Sequence, residues 1–125
     1  DGPMVKATEV AAAAPTPGGG TIADGTYQLT ALTAYLGVGG PAVALMLTAS
    51  EVQTISGTTI QEAGIIDGQE SRYTTKFTTS GTSLTTHDTC PLESSATHGY
   101  TASAMELRIY DAMGGFTLEQ VYTLR

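Results

Sequence analysis

A chain of 125 residues carrying 12 acidic against 5 basic side chains has a net charge of -7. That length holds one core that buries roughly two-thirds of the unfolded surface. It leaves no room for a second folded domain, and the charge repels phosphate backbones and anionic headgroups, setting nucleic acid aside as a partner. No apolar run approaches the ~20 residues of a membrane-crossing helix.

Residues 1–20, "DGPMVKATEVAAAAPTPGGG", form an N-terminal arm and linker. "MVKATEVAAAA" has the potential of a helix or a strand, whereas "PTPGGG" reads as a spacer. A chain that begins at Asp1 and enters such a Pro/Gly-rich stretch is what an exported precursor becomes after processing. Export predicts a secreted, outer-membrane or cell-surface location, with a lipid anchor on the precursor as one form of it.

The folded domain is expected over residues 21–125. Thr is the commonest residue there and, with Val, Ile, Tyr and Phe, favours pleated, half-buried surfaces. Period-two alternation puts Tyr27, Leu29, Ala31, Thr33 and Tyr35 on one face of a first strand, "GTYQLTALTAYL". "AVALMLTAS" is apolar on both faces and gives a second strand that continues into "EVQTI". "TIQEAGII" and "ESRYTTKFTT" follow, punctuated by the turn signals "SGTT" and "DGQ". "SGTS" leads to "LTTHDTC", an irregular loop is expected from Pro91 to His98, and "GYTAS", "MELRIY" and "FTLEQVYTL" complete eight or nine strands.

Three hairpins rhyme: "QTISGTTI", "FTTSGTSL" and "YTASAMEL" align on Ser56, Ser80 and Ser103. A repeat of two strands and two turns is the mark of an up-and-down antiparallel meander. Eight such strands curl and close, because closure removes exposed edges. The fold class is therefore all-β: an antiparallel up-and-down meander of about eight strands closing into a small lipocalin-like barrel, with an N-terminal arm.

"GGTIADGTYQLTALTAY", "ESRYTTKFTTSGTSLTTHDTCP", "YTASAMELRIY" and "LEQVYTLR" resemble a group of small lipocalin-like domains in predicted secreted proteins and lipoproteins of myxobacteria and related bacteria. The resemblance spans residues 18–125. It implies export, often with a lipidated Cys just before a Pro/Gly-rich linker, and an up-and-down barrel; it implies no activity. Members often carry another Cys in the loop after the first strand, where this chain has "GVGGP", so the group's usual disulfide is not available to Cys90.

The chemistry-bearing residues are few. Alternation in "LTTHDTC" sets Leu84, Thr86, Asp88 and Cys90 on one face and Ser83, Thr85, His87 and Thr89 on the other. His87 and Cys90 diverge, and adding His98 gives no metal-ligand spacing, so no metal is expected. No "GxSxG" elbow is present, and Glu62, Asp67, Glu70 and Glu93 read as solubilising charges or turn residues. Neither catalysis nor a cofactor is expected.

Two functions remain. A structural or interaction module would use the arm, with Met4, Val5 and Val10 adding as a strand to its own barrel or to another copy of the chain. A lipocalin-like carrier would hold a small apolar ligand among Tyr27, Leu29, Tyr73, Phe77, Tyr100 and Phe116, with Leu45 as a further wall. The interior is expected to contain Tyr27, Leu29, Tyr73, Phe77, Leu107 and Phe116.

Overall fold

A computed structural model describes residues 3–40, 46–90 and 93–125. Among the described residues all ten elements are strands: β1 (Val5–Lys6), β2 (Thr8–Val10), β3 (Gly25–Tyr35), β4 (Thr48–Ser56), β5 (Thr59–Ile66), β6 (Gln69–Ser80), β7 (Ser83–Cys90), β8 (Ser94–Ala102), β9 (Glu106–Ala112) and β10 (Thr117–Leu124). From β3 to β10 each strand pairs with the next, antiparallel throughout, and β10 returns to β3 to close an eight-stranded barrel. Closure removes the edges of the meander except where β3 and β4 part.

The hairpins form where the turn chemistry places them. Asp67 and Gly68, with φ of 49 and 83, make the two-residue turn between β5 and β6. Positive φ at both positions is the type I′ geometry whose twist matches that of the flanking strands. Gly57 and Gly81 supply the same left-handed backbone in the two neighbouring turns.

One irregularity corrects the expected first-strand face. Val121 pairs with Ala31 and Tyr122 with Leu29, leaving Thr30 as a bulge whose hydroxyl donates to the Val121 carbonyl at 3.3 Å. An extra residue reverses the alternation beyond it. Tyr27 and Leu29 face inward, and after the bulge Leu32 and Ala34 do so in place of Ala31, Thr33 and Tyr35. Tyr35 is thereby turned outward, where its hydroxyl meets Glu119 at 3.5 Å and Arg108 reaches the same carboxylate at 3.2 Å.

Two strand boundaries also differ from expectation. β4 begins at Thr48, and Met46 before it is 79% exposed; the part of the expected second strand over residues 42–45, with Leu45, lies outside the described residues. β8 starts at Ser94, where an irregular loop was expected, and pairs with β7 from Asp88↔Ser94 to Ser83↔Gly99. Its inward positions Ser94, Ala96 and His98 are polar or small, so no hydrophobic alternation announced it.

The core joins Tyr27, Leu29, Leu32, Ile55, Ile60, Phe77, Leu84, Tyr100, Leu107, Ile109 and Tyr122. Two expected members are absent. Tyr73 keeps the register of Thr75 and Phe77 but is 37% exposed, and Phe116 lies before β10, in the turn where its carbonyl accepts from Met113. Phe116 sits instead beside Ala13, Ala14 and Tyr35.

The arm joins the barrel's own sheet. β3 and β4 pair directly only from Gly25↔Ile55 to Gln28↔Val52; beyond that they part, β1 pairs antiparallel with β4 at Ala49 and Thr48, and β2 pairs parallel with β3 at Thr33 to Tyr35. Extra hydrogen bonds from Ala7 to the Leu47 carbonyl and from Leu36 to the Val10 carbonyl fasten both strands. Val5 and Ala7 pack against the core, whereas Met4 is exposed. "PTPGGG" is more than a spacer. Gly19 donates to the Tyr100 carbonyl and accepts from Ala102, both at 2.8 Å, and Pro17 lies against Gly99, where an added Cβ would stand 2.6 Å from its ring.

Candidate functional site

Side chains filling the barrel divide into an apolar floor and a polar belt. The floor comes from the ends of β4 and β8 and the starts of β3, β7 and β9, with Tyr27, Leu29, Ile55, Leu84, Tyr100 and Leu107 at 2% exposure or less. Its two tyrosine hydroxyls are satisfied by the linker: Tyr27 donates to the Ala23 carbonyl and Tyr100 to that of Gly20, each at 2.6 Å. Burying a phenol without such a partner would cost a few kcal/mol (~1–3). Ile22 packs on this end as well.

Above the floor the inward positions of β4 to β10 become polar. Gln53 donates from Nε2 to Glu62 Oε2 at 2.5 Å, and Thr75 and Ser94 donate to the two oxygens of Asp88 at 2.6 and 2.9 Å. A second chain runs through Tyr122. Its hydroxyl lies 2.6 Å from Glu51 Oε2 and 2.9 Å from Gln120 Oε1, while Gln120 Nε2 donates to Asp111 Oδ2 at 3.1 Å and His98 Nδ1 is bonded to Asp111 Oδ1. One phenol proton cannot serve two acceptors fully, so both Tyr122 contacts are made best when Glu51 carries a proton and donates it.

Electrostatics agree with that reading. Burial pushes the Glu51 carboxyl above its ordinary range, and burial reinforced by the nearby Glu51 charge raises Glu62 to about 7. Desolvation disfavours the charged form of each acid, and two such acids close together disfavour it further. The hydrogen bond to Asp111 raises His98, and burial raises Tyr122.

Between floor and belt lies a cavity of about 230 Å³, lined by Gln53, Glu62, Thr75, Asp88, His98 and Asp111 on its polar side and by Ile60, Leu84 and Ile109 on its apolar side. His98 and Asp111 keep 19% and 24% side-chain exposure, so the space reaches solvent. Gln53 is only 5% exposed, and its Oε1 has no hydrogen-bond partner. Such an orphaned buried acceptor is uncommon in folded proteins.

Of the residues expected to line a ligand site, Tyr27, Leu29, Phe77 and Tyr100 are together in the filled floor and core, whereas Tyr73 and Phe116 are apart from them. Glu62, expected as a solubilising charge, faces the interior instead. His87 is exposed and bonded to Ser95 at 2.8 Å on the outer wall, while His98 faces the cavity; which way the Cys90 side chain points lies outside the described residues. Sequence reasoning missed Glu51, Gln53, Asp111 and Gln120, while Tyr122, one of the aromatics expected to face inward, is fully buried. The signal that could have found them is a set of Glu, Gln and Asp at inward parity on β4, β5, β9 and β10, where a carrier of apolar ligands would have Leu or Val.

Thr86 completes a nucleophile-base-acid geometry, its hydroxyl 3.3 Å from His98 Nε2 with Asp111 on the other ring nitrogen. Catalysis on that pattern also needs donors aimed at a developing oxyanion. Here the neighbouring groups are carboxylates, and Thr86 lies within β7, whose backbone amides pair with β6 and β8. Among the described residues no three His, Cys, Asp or Glu side chains converge as a metal centre requires. No helix among them is long and apolar enough to cross a membrane. No family model, curated protein or solved structure matches the chain.

Proposed function

We propose that this protein is a non-catalytic binding module of the exported or cell-surface space that holds a small molecule in its barrel. The observation that carries this reading is the cavity beside the buried, unpartnered Gln53 carbonyl. A barrel of eight strands has an interior that side chains just fill or that admits one small ligand, and here the floor is filled while the belt is not. Carboxylates around Thr86 and His98 oppose an oxyanion, which argues for binding over hydrolysis. Native mass spectrometry on protein purified from its own source tests the reading. A retained small-molecule mass that disappears on denaturation is expected; a bare chain mass under non-denaturing conditions, with no ligand recovered, counts against it.

The seam supports a second role, assembly with other copies. β1 and β2 fill a gap that β3 and β4 leave open, and they reach it on residues 11–17, which belong to no strand. The same contacts made by the arm of another copy would link barrels, since exchange of an identical element costs little. Size-exclusion chromatography over a range of concentrations should then show oligomers that are lost on deletion of residues 1–17. A full-length chain that stays monomeric at millimolar concentration rules the role out.

A further inference from the structure

We propose that the seam between β3 and β4 is a proton-operated latch: protonated Glu51 keeps the arm docked, and loss of that proton as pH rises frees β1 and β2. What the freed arm then does, exchange with another copy, rests on the assembly reading.

The seam opens at a particular side chain. The β3–β4 ladder ends at Gln28↔Val52, so the rung that would come next, Leu29↔Glu51, is not made, and the arm takes over at Val5↔Ala49. Glu51 is two residues from Ala49 on the same strand and shares its inward face, at 8% exposure. The fold leaves room for it there. Gly64 stands opposite Glu51 on β5 without a positive φ, yet an added Cβ would lie 2.7 Å from Glu51 Cγ and 2.6 Å from the Ser50 carbonyl oxygen.

Hydrogen-bond directions place a proton on this carboxyl. Gln120 Nε2 donates to Asp111 Oδ2, which turns Gln120 Oε1 toward the Tyr122 hydroxyl at 2.9 Å. Once the phenol proton is given to Gln120, the Tyr122 oxygen can only accept from Glu51 Oε2 at 2.6 Å, and only a protonated carboxyl donates. Burial raises the Glu51 carboxyl in the same sense. An ionised Glu51 would compete with Gln120 for one phenol proton and would need water. Water enters most easily where the ladder has already parted, and the arm closes that place with two rungs on β4 and three on β3.

The groups around Glu51 offer it no free cation. Tyr122 faces it from β10 and Glu62 from β5, with Asp88 of β7 acting on Glu62 in turn. Asp111 of β9 reaches it through Gln120, and His98 of β8 is bonded to Asp111. From β3 the inward neighbours are Leu29 and Tyr27, whose hydroxyl is given to Ala23. The arm sets Val5 and Ala7 against the core, carries Glu9 half-buried beside Ala34 and exposes Lys6. Arg108 is committed to Glu106 and Glu119.

Amide exchange of the full chain tests the latch, read by NMR at pH 5 and pH 8 and corrected for the intrinsic rate at each pH. Ala7 and Leu36, bonded to the Leu47 and Val10 carbonyls, report on the arm, and Phe77, bonded to Thr58, reports on the barrel. A docked arm holds a proton that an opened one releases, so protection is full below the ordinary 4.5 of the carboxyl and falls as pH rises toward the raised value. Ala7 and Leu36 should be less protected than Phe77 at both pH values and should lose about tenfold or more between them, tenfold being one unit of pKa. Glu51→Gln keeps a donor for Tyr122 without a titrating proton, so its arm should hold its protection to within about twofold. Glu62→Gln should still loosen.

Arm protection that is independent of pH, or equal to that of Phe77 throughout, overturns the latch. So does an arm that still loosens in Glu51→Gln, or one that no longer does in Glu62→Gln; if Glu51→Gln does not fold, the parent chain and Glu62→Gln decide. Size-exclusion chromatography at the same two pH values separates this proposal from the assembly reading. A loosened arm without oligomers upholds the latch and removes assembly, whereas oligomers from a chain whose arm protection ignores pH uphold assembly and remove the latch.

Discussion

The floor and the belt of this barrel are built on the same strands, yet they use burial in opposite ways. In the floor Tyr27, Leu29, Tyr100 and Leu107 are sealed, and the linker carbonyls of Gly20 and Ala23 satisfy the phenols. In the belt Glu51 and Gln53 are buried and Glu62 partly buried at a cost, with one acceptor unpaired and two acids pushed toward neutrality. A fold gains stability from the first arrangement and gives some up in the second. Strain of that kind collects where binding happens.

The largest effect expected from breaking this contrast is in the floor. Phe77→Ala and Tyr100→Ala should each cost on the order of 3–5 kcal/mol, since both truncate a ring in the core. Urea unfolding checks this, and a change below about 1 kcal/mol would remove either residue from the core.

In the belt the sign reverses. Glu62 has a folded pKa near 7 against an ordinary value of 4.5, so the folded state holds a proton that the unfolded state has released between those values. Its contribution to stability is therefore full below about pH 4.5 and lost as pH rises through 7. Glu51 acts in the same direction, and raised His98 adds a loss above its ordinary 6.5. Without ligand, stability should fall by about 2 kcal/mol from pH 5 to pH 8, and Glu62→Gln should flatten the profile. A stability maximum at pH 8 for the ligand-free chain would contradict the burial of these acids.

A smaller effect tests the linker. Gly99→Ala places a Cβ 2.6 Å from the Pro17 ring, so the segment must shift, at about 1–2 kcal/mol. Hydrogen exchange should then quicken at Gly19 and Ala102, whose amides close the bridge. The smallest effect belongs to His87→Ala, on the exposed outer wall, which should stay within about 0.5 kcal/mol of the parent chain by thermal melting. His98→Ala should exceed it, because that ring is half-buried against Asp111.

The strand count, the meander and the turns at Asp67, Gly57 and Gly81 were legible because they depend on neighbours in sequence: period-two alternation and the φ a turn demands. The paired faces of β7, with Leu84 and Thr86 inward and His87 outward, followed from the same local rule. Local rules also located the arm, and the strand potential of "MVKATEV" was visible in it.

What alternation could not reveal was decided across the barrel. The bulge at Thr30 exists only because β10 pairs with β3 in a register that leaves one residue over, and it alone sends Tyr35 outward and Leu32 inward. The arm's docking between β3 and β4 depends on a gap that appears only when the barrel has closed. The belt is the clearest case. Glu51, Gln53, Glu62, Asp111, Gln120 and Tyr122 come from four strands, and by sequence each acid reads as a solvated charge. Only closure, which takes them from water and sets them against one another, gathers them into one polar belt in which Glu51 and Glu62 are raised and the Gln53 side-chain oxygen is unpaired.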